Sequence, residues 1–149
     1  MGPAWVQFQG ALAKLGSVTS TARYRTMKSW GDISDQDVVW LSVAFTVTDQ
    51  PAFLAARDRY TASETGKKFP GQGHLSAVVA AGTSLVTHVI TIGYASEAEM
   101  ESWGSLNRAS ADWQAYLEAS RASAQVVGLT LSRVVKSWGP ATMKDVSAP

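Results

Sequence analysis

Sliding the chain along itself by 108 residues, with no gap, sets Lys28-Ser29-Trp30-Gly31 on Lys136-Ser137-Trp138-Gly139. The same register sets Trp5 on Trp113, Phe8 on Tyr116, Val18 on Val126 and Arg25 on Arg133. A tetrapeptide identity that contains Trp, in step with an aromatic pair well upstream, marks a duplicated unit, and two copies of one unit share one local fold.

Trp5, Phe8, Leu12 and Leu15 recur at three- and four-residue steps, the stripe of a short amphipathic helix, and Trp113, Tyr116 and Leu117 do the same. Each stripe precedes a run rich in β-branched residues, 18–30 and 126–138. Gly31 ends the first run and Gly139-Pro140 the second, so the unit reads helix then strand.

Between the copies, 38–48 (VVWLSVAFTVT) is a strand, and Asp49 caps a helix that has Pro51 in its first turn. Residues 67–73, with Pro70 and two glycines, read as a rim loop or lid. Strands over 74–81 and 86–95 follow, joined as a hairpin at Gly82-Thr83-Ser84. Ser96 caps the next helix, with Glu97 and Glu99 where the helix dipole favours acids; it breaks at Gly104 and resumes at Asp112. Residues 38–138 thus run β-α-β-β-α-β, the ferredoxin-like arrangement of an α+β fold. The opening helix and strand form an additional half-unit, 1–139 a single domain, and 140–149 a tail without periodicity. The half-unit leaves a sheet edge that needs cover.

Charge excludes partners. Of 149 residues, 13 are Lys or Arg and 12 are Asp or Glu, a net of +1 that supplies no field for nucleic acid or anionic membranes. No apolar run is long enough to span a bilayer, and the N-terminus lacks the pattern of a secretory signal, so a cytoplasmic protein is expected. The chain has no cysteine, hence no disulfide, thiolate metal site or cysteine nucleophile.

Strand alternation sorts the side chains by face. Val39, Leu41, Val43, Phe45 and Val47 form a bulky face with Ile90, Ile92 and Tyr94, and the helices belong there. Trp40, Ser42, Ala44, Thr46, Val89, Thr91 and Gly93 form the other, which lines either a cavity or a close contact between sheets.

The stretch 88–103 (HVITIGYASEAEMESW), continuing to Asp112-Trp113-Gln114-Ala115-Tyr116, resembles the second half of dimeric α+β barrel domains of the antibiotic-biosynthesis-monooxygenase-like kind. The resemblance implies a sheet with helices on one face, its other face packed on a partner's sheet around a small-molecule cavity, in a homodimer. Members include cofactor-independent oxygenases of aromatic substrates, isomerases, haem enzymes and proteins with no demonstrated activity.

Within that frame Trp40, beside Ser42 and Thr91, is the residue placed to stack on a small aromatic or anionic ligand. Thr19, Thr21, Arg23, Arg25, Met27 and Ser29 share a face of the first strand, and Arg23, Arg25 and the repeat counterpart Arg133 are charge partners for such a ligand. The alternative for each arginine is an ion pair with an acid such as Asp58 or Glu118. His88 and His74 are the candidate proton acceptors, placed at the same end of the sheet; alternatively they are hydrogen-bonded strand-end residues, or one is a haem ligand. The other tryptophans read as packing. No phosphate-binding, serine-hydrolase or metal-ligand spacing occurs, so no metal and no cofactor are expected. The expected function is therefore small-molecule binding with cofactor-independent oxygenation or isomerisation, the alternative being a non-catalytic assembly protein of the same fold.

Overall fold

The computed structural model describes residues 3–15, 22–32, 36–80 and 85–135. The turn at Gly82-Thr83-Ser84, the second KSWG tract and the tail from Pro140 lie outside the described residues.

Among the described residues, four α-helices and five strands follow in the order α1 (Pro3–Leu15), β1 (Arg23–Gly31), β2 (Val39–Val47), α2 (Gln50–Ala62), β3 (Gln72–Ala80), β4 (His88–Tyr94), α3 (Glu97–Arg108), α4 (Ala111–Arg121) and β5 (Ala124–Arg133), with a single 3-10 turn at Gly66–Lys68 between α2 and β3. All strand pairs are antiparallel and the sheet order is β1-β3-β4-β2-β5. β2 through β5 therefore form the ferredoxin-like core expected of β-α-β-β-α-β, and β1 extends the sheet beyond β3. The strand of the opening half-unit pairs along the outer edge of β3, from Arg23 opposite Ala80 to Gly31 opposite Gln72, and itself becomes the end strand of the sheet. Gly31 closes the strand at φ 77°, where a Cβ would collide with the Gly71 carbonyl.

Local chemistry sets the helix boundaries. Asp49 caps α2, its carboxylate accepting from the Ala52 N–H at 3.0 Å. Ser96 caps α3 by accepting from Glu99 N–H at 3.1 Å, and Glu99 returns a bond by accepting from Ala95 N–H at 2.9 Å. Two expectations need correction here. α3 runs through Gly104 without a break, because one glycine costs a helix only about 1 kcal/mol, and the N–H of Ala109 still reaches the Ser105 carbonyl at 3.3 Å. The cap that restarts the chain is Ser110; Asp112 sits in the first turn of α4, where its carboxylate accepts from the Thr65 N–H at 3.1 Å.

The face assignment holds. Register places Val39, Leu41, Val43 and Phe45 opposite Tyr94, Ile92, Ile90 and His88, and this side carries α2, α3 and α4. Its core has two parts: Phe45, Leu75 and Ile90 around Phe53, and Val39 and Tyr94 against Ala56, Tyr60, Trp103 and Tyr116. On the opposite face Ser29, His74, Thr91, Ser42 and Thr130 occupy one row crossing all five strands.

Candidate functional site

The helices do not close down on the whole of the bulky face. Between them and β2, β4 and β5 lies a cavity of about 1240 Å³, larger than the usual ligand pocket of about 300 to 1,000 Å³. Trp30, Phe69, Tyr94, Trp103 and Trp113 wall it, and its lining also includes the exposed Glu101, Arg108, Arg121, Val126 and Leu129. Large rings hold their neighbours apart: Phe69 meets Tyr94 edge-on at 5.9 Å and Trp103 at 5.4 Å, while Tyr60, Trp113 and Tyr116 form a triangle with centroids 5.1 to 5.2 Å apart.

One charge stands inside this aromatic wall. Arg57 lies on the apolar stripe of α2 with Phe53, Ala56 and Tyr60, and is 5% exposed. Its guanidinium sits 4.0 Å from the centre of the Trp30 ring, with Tyr60 and Tyr116 at 5.4 and 5.5 Å. Burial lowers its pKa, and the Tyr116 side chain opposes that shift by charge and hydrogen bonding. Trp30 takes its place because it faces Gly73 across the β1-β3 pair: a Cβ on Gly73 would fall 2.2 Å from the indole. Beside Arg57 the Tyr60 hydroxyl donates to Asn107 Oδ1 at 2.6 Å. Burial pushes the Tyr60 and Tyr94 hydroxyls up to about 12, so both are protonated at neutral pH. The arrangement can hold a flat apolar molecule and present it with one fixed cation.

Comparison with known proteins bears on the fold. No protein-family model matches the chain, and neither does any curated protein. Among solved structures, that of a major regulator of staphylococcal pathogenesis has a TM-score of 0.51 at 13% identity, over 81% of this chain and 74% of that one. SnoaB, a cofactor-independent oxygenase from Streptomyces nogalater, gives 0.49 at 17% identity over 68% of this chain and 96% of its own. An anthrone oxidase-like protein gives 0.45 at 12% identity, over 74% of this chain and 56% of its own. The strand order of β2 to β5, with the first of these likenesses, decides the fold class. The fold is a ferredoxin-like antiparallel α+β fold.

In this fold the cavity lies on the helix-bearing side; the small-residue face, read from the sequence as lining either a cavity or a close contact between sheets, is on the other side of the sheet. Small side chains on the opposite face mark a surface of low relief, whereas the space is made where bulky rings prop the helices off the sheet. None of the residues named in the sequence as ligand-binding or proton-accepting candidates lines it. Trp40, half-buried, donates from its indole to the Asp37 carbonyl at 3.3 Å, and Ser42 and Thr91 pair directly across β2 and β4 on the same far face. His74 is on that face too, its Nδ1 2.9 Å from the Ser29 hydroxyl. His88 is on the helix-bearing side, its Nδ1 3.0 Å from the Thr87 hydroxyl and its ring 6.1 Å from Phe53. The two histidines are thus on opposite faces, and they are not at one end of the sheet. β4 starts only at His88, beside the turn, whereas His74 lies near the start of β3 at the far end of the hairpin, opposite Thr91.

The arginines scatter likewise. A register shift between Thr26 and Lys28 breaks the alternation of β1, so Arg25 falls in line with Ala77, His88 and Phe45 while Ser29 falls on the other face. Arg23 opens the strand, exposed, opposite Ala80. Arg133 stands opposite Val39 and pairs with Glu97 at 2.7 Å, an ion pair of the kind weighed for it, with a different acid. Asp58 is taken by Lys28 at 2.5 Å.

Arg57, Tyr60, Asn107 and Tyr116 were the residues that sequence reasoning missed. A signal for Arg57 existed: in 53–60 it falls on the same stripe as Phe53, Ala56 and Tyr60, where a charge has no solvent to face. Nothing in the sequence marks Asn107, which is found only through its partner.

Proposed function

We propose that this α+β barrel protein binds a small, flat aromatic molecule in the cavity between sheet and helices, and acts on it as a cofactor-independent monooxygenase or isomerase. The observation that carries the reading is the cavity of about 1240 Å³ walled by Trp30, Phe69, Tyr94, Trp103 and Trp113, its lining more apolar than polar. Such a wall selects fused rings by shape and stacking, and the few polar groups set orientation.

A haem is a poorer occupant, because neither His74 nor His88 lines the cavity to reach an iron there. The far face, with its row from Ser29 to Thr130 and Trp40 at one end, suits a second copy of the chain, in a homodimer that leaves both cavities outside the contact.

Titration with hydroxylated fused-ring aromatics, followed by tryptophan fluorescence, tests the binding. Quenching that saturates, and an affinity that falls about tenfold in Trp103→Ala, is the expected result. Oxygen consumption in metal-free buffer then tests turnover. Saturable binding that survives Trp103→Ala and Phe69→Ala together would move the site out of the cavity.

A further inference from the structure

The cavity is long across the strands. It touches β1 at Trp30 and β5 at Leu129, four interstrand steps apart, a span of about 19 Å. Its two ends differ in chemistry. Towards β1 and β4 the wall is made of rings, Trp30, Phe69, Tyr94 and Trp103. Towards β5 the floor is aliphatic, with Val43 paired to Leu129 and Leu41 to Leu131 on the helix-bearing side.

The aliphatic end is open. Val126 and Leu129 line the cavity and are nevertheless 56% and 67% exposed, and Leu131, next along the same face, is 51% exposed. From Ala124 to Ser132 the strand carries no charge, and Arg133 beyond it is paired with Glu97. An uncharged apolar row that continues the floor of a cavity is where part of an occupant reaches the surface.

The shape of the row selects that part. The exposed row is one strand wide, about 4.8 Å, whereas a docked helix covers about 10 Å. A strand from another copy would pair at the free edge of β5, in the plane of the sheet, and leave the face of the row uncovered. A hydrocarbon chain is narrow and flexible enough to follow it.

We infer that the ligand is a ring system carrying an unbranched aliphatic chain: the rings lie among Phe69, Tyr94 and Trp103, and the chain runs over Val43 and out along Leu129 and Leu131. This rests on the cavity being the ligand site, and it adds a substrate class, aromatic molecules with a long alkyl or acyl tail.

The probes are acyl(dimethylamino)naphthalenes with chains from acetyl to octanoyl, uncharged dyes whose emission moves to the blue in apolar surroundings. A methylene fully removed from water tightens binding up to about fourfold, so on a half-open row the methylenes added between acetyl and octanoyl should gain at least about tenfold in all. In Leu129→Ser combined with Leu131→Ser that gain should fall below about threefold while the acetyl dye keeps its affinity, which also reports that the variant is folded. Val79→Ser, at a similarly exposed apolar position outside the cavity lining, should leave the gain intact. No gain with chain length in the wild type, or a gain that the two serines leave unchanged, overturns the chain assignment and keeps the ring site. Sedimentation that drops to a smaller species in the double-serine variant gives the row to a second copy and overturns the assignment too. Failure of the acetyl dye to bind the wild type overturns the ring-site reading itself, and the chain with it.

Discussion

The Tyr60 hydroxyl and the Asn107 side chain meet at 2.6 Å in a buried hydrogen bond that joins α2 to α3 along the cavity wall. Neither group has solvent in reserve. Tyr60→Phe strands the Asn107 carbonyl oxygen and is expected to cost ~1–3 kcal/mol, as is Asn107→Leu, which strands the hydroxyl. The double variant should cost less than the sum of the two, because no unpaired polar group remains. Urea unfolding of the four proteins measures this, and strict additivity would mean that the bond contributes nothing of its own.

Trp30 against Gly73 gives a second expectation. Gly73→Ala puts a methyl group where the indole lies, with 2.2 Å between the two positions. The ring has to move, taking the Arg57 stack with it, and a loss of ~1–3 kcal/mol follows for an overpacked site. The same change made in Trp30→Ala should cost much less, since the obstacle is gone. An equal loss in both backgrounds would trace the effect to the glycine backbone.

How the sequence and the structure relate is clearest in these same residues. The period-two pattern in 38–48 suffices to tell which face of β2 carries helices, because burial on one side leaves a direct mark on residue size. Caps at Asp49 and Ser96 are legible for a similar reason: a side-chain oxygen satisfying a helix N–H is a local interaction. The site is not local. Arg57, Trp30, Tyr116 and Asn107 come from four elements, and the space among them depends on how far rings hold helices from a sheet, which no short pattern records. Register shifts defeat the period-two rule as well, and one in β1 sends Arg25 and Ser29 to different faces.

His88 makes the protein sensitive to acid. Burial lowers its pKa below the ordinary value of 6.5, so the unfolded chain takes up a proton more readily than the folded one. The stability this group provides is therefore complete above 6.5 and shrinks as pH falls below it. Chemical unfolding followed between about pH 7 and pH 5 should show a decline that is reduced in His88→Leu. A decline of the same size in the variant would assign the acid sensitivity to carboxylates.

The alkaline side belongs to Tyr60 and Tyr94. With both hydroxyls raised to about 12 from an ordinary 10.0, the folded state holds protons that the unfolded chain gives up first. Stability contributed by the neutral hydroxyls is thus present below 10 and drains away as pH rises towards 12. A near-ultraviolet titration of tyrosinate should show late ionisation, with Tyr60→Phe and Tyr94→Phe each removing one late step. Ionisation of all tyrosines in a single step before any unfolding would contradict the burial of both groups.

Trp40 separates the two faces of the sheet. Its indole lies in the row with Gly93 and Ser132, on the side turned away from α2, α3 and α4, and is anchored to the Asp37 carbonyl at 3.3 Å. A ligand in the cavity is screened from it by the sheet itself, so Trp40→Ala should leave the affinity for a fused-ring aromatic within about twofold of wild type. In the proposed homodimer the substitution removes an aromatic anchor from the contact, worth ~2 kcal/mol or more. Sedimentation of the variant should then shift towards monomer while fluorescence quenching in the cavity persists. The reverse outcome, intact association with an affinity lowered about tenfold, would place the ligand on the far face and leave the aromatic wall around Arg57 as packing alone.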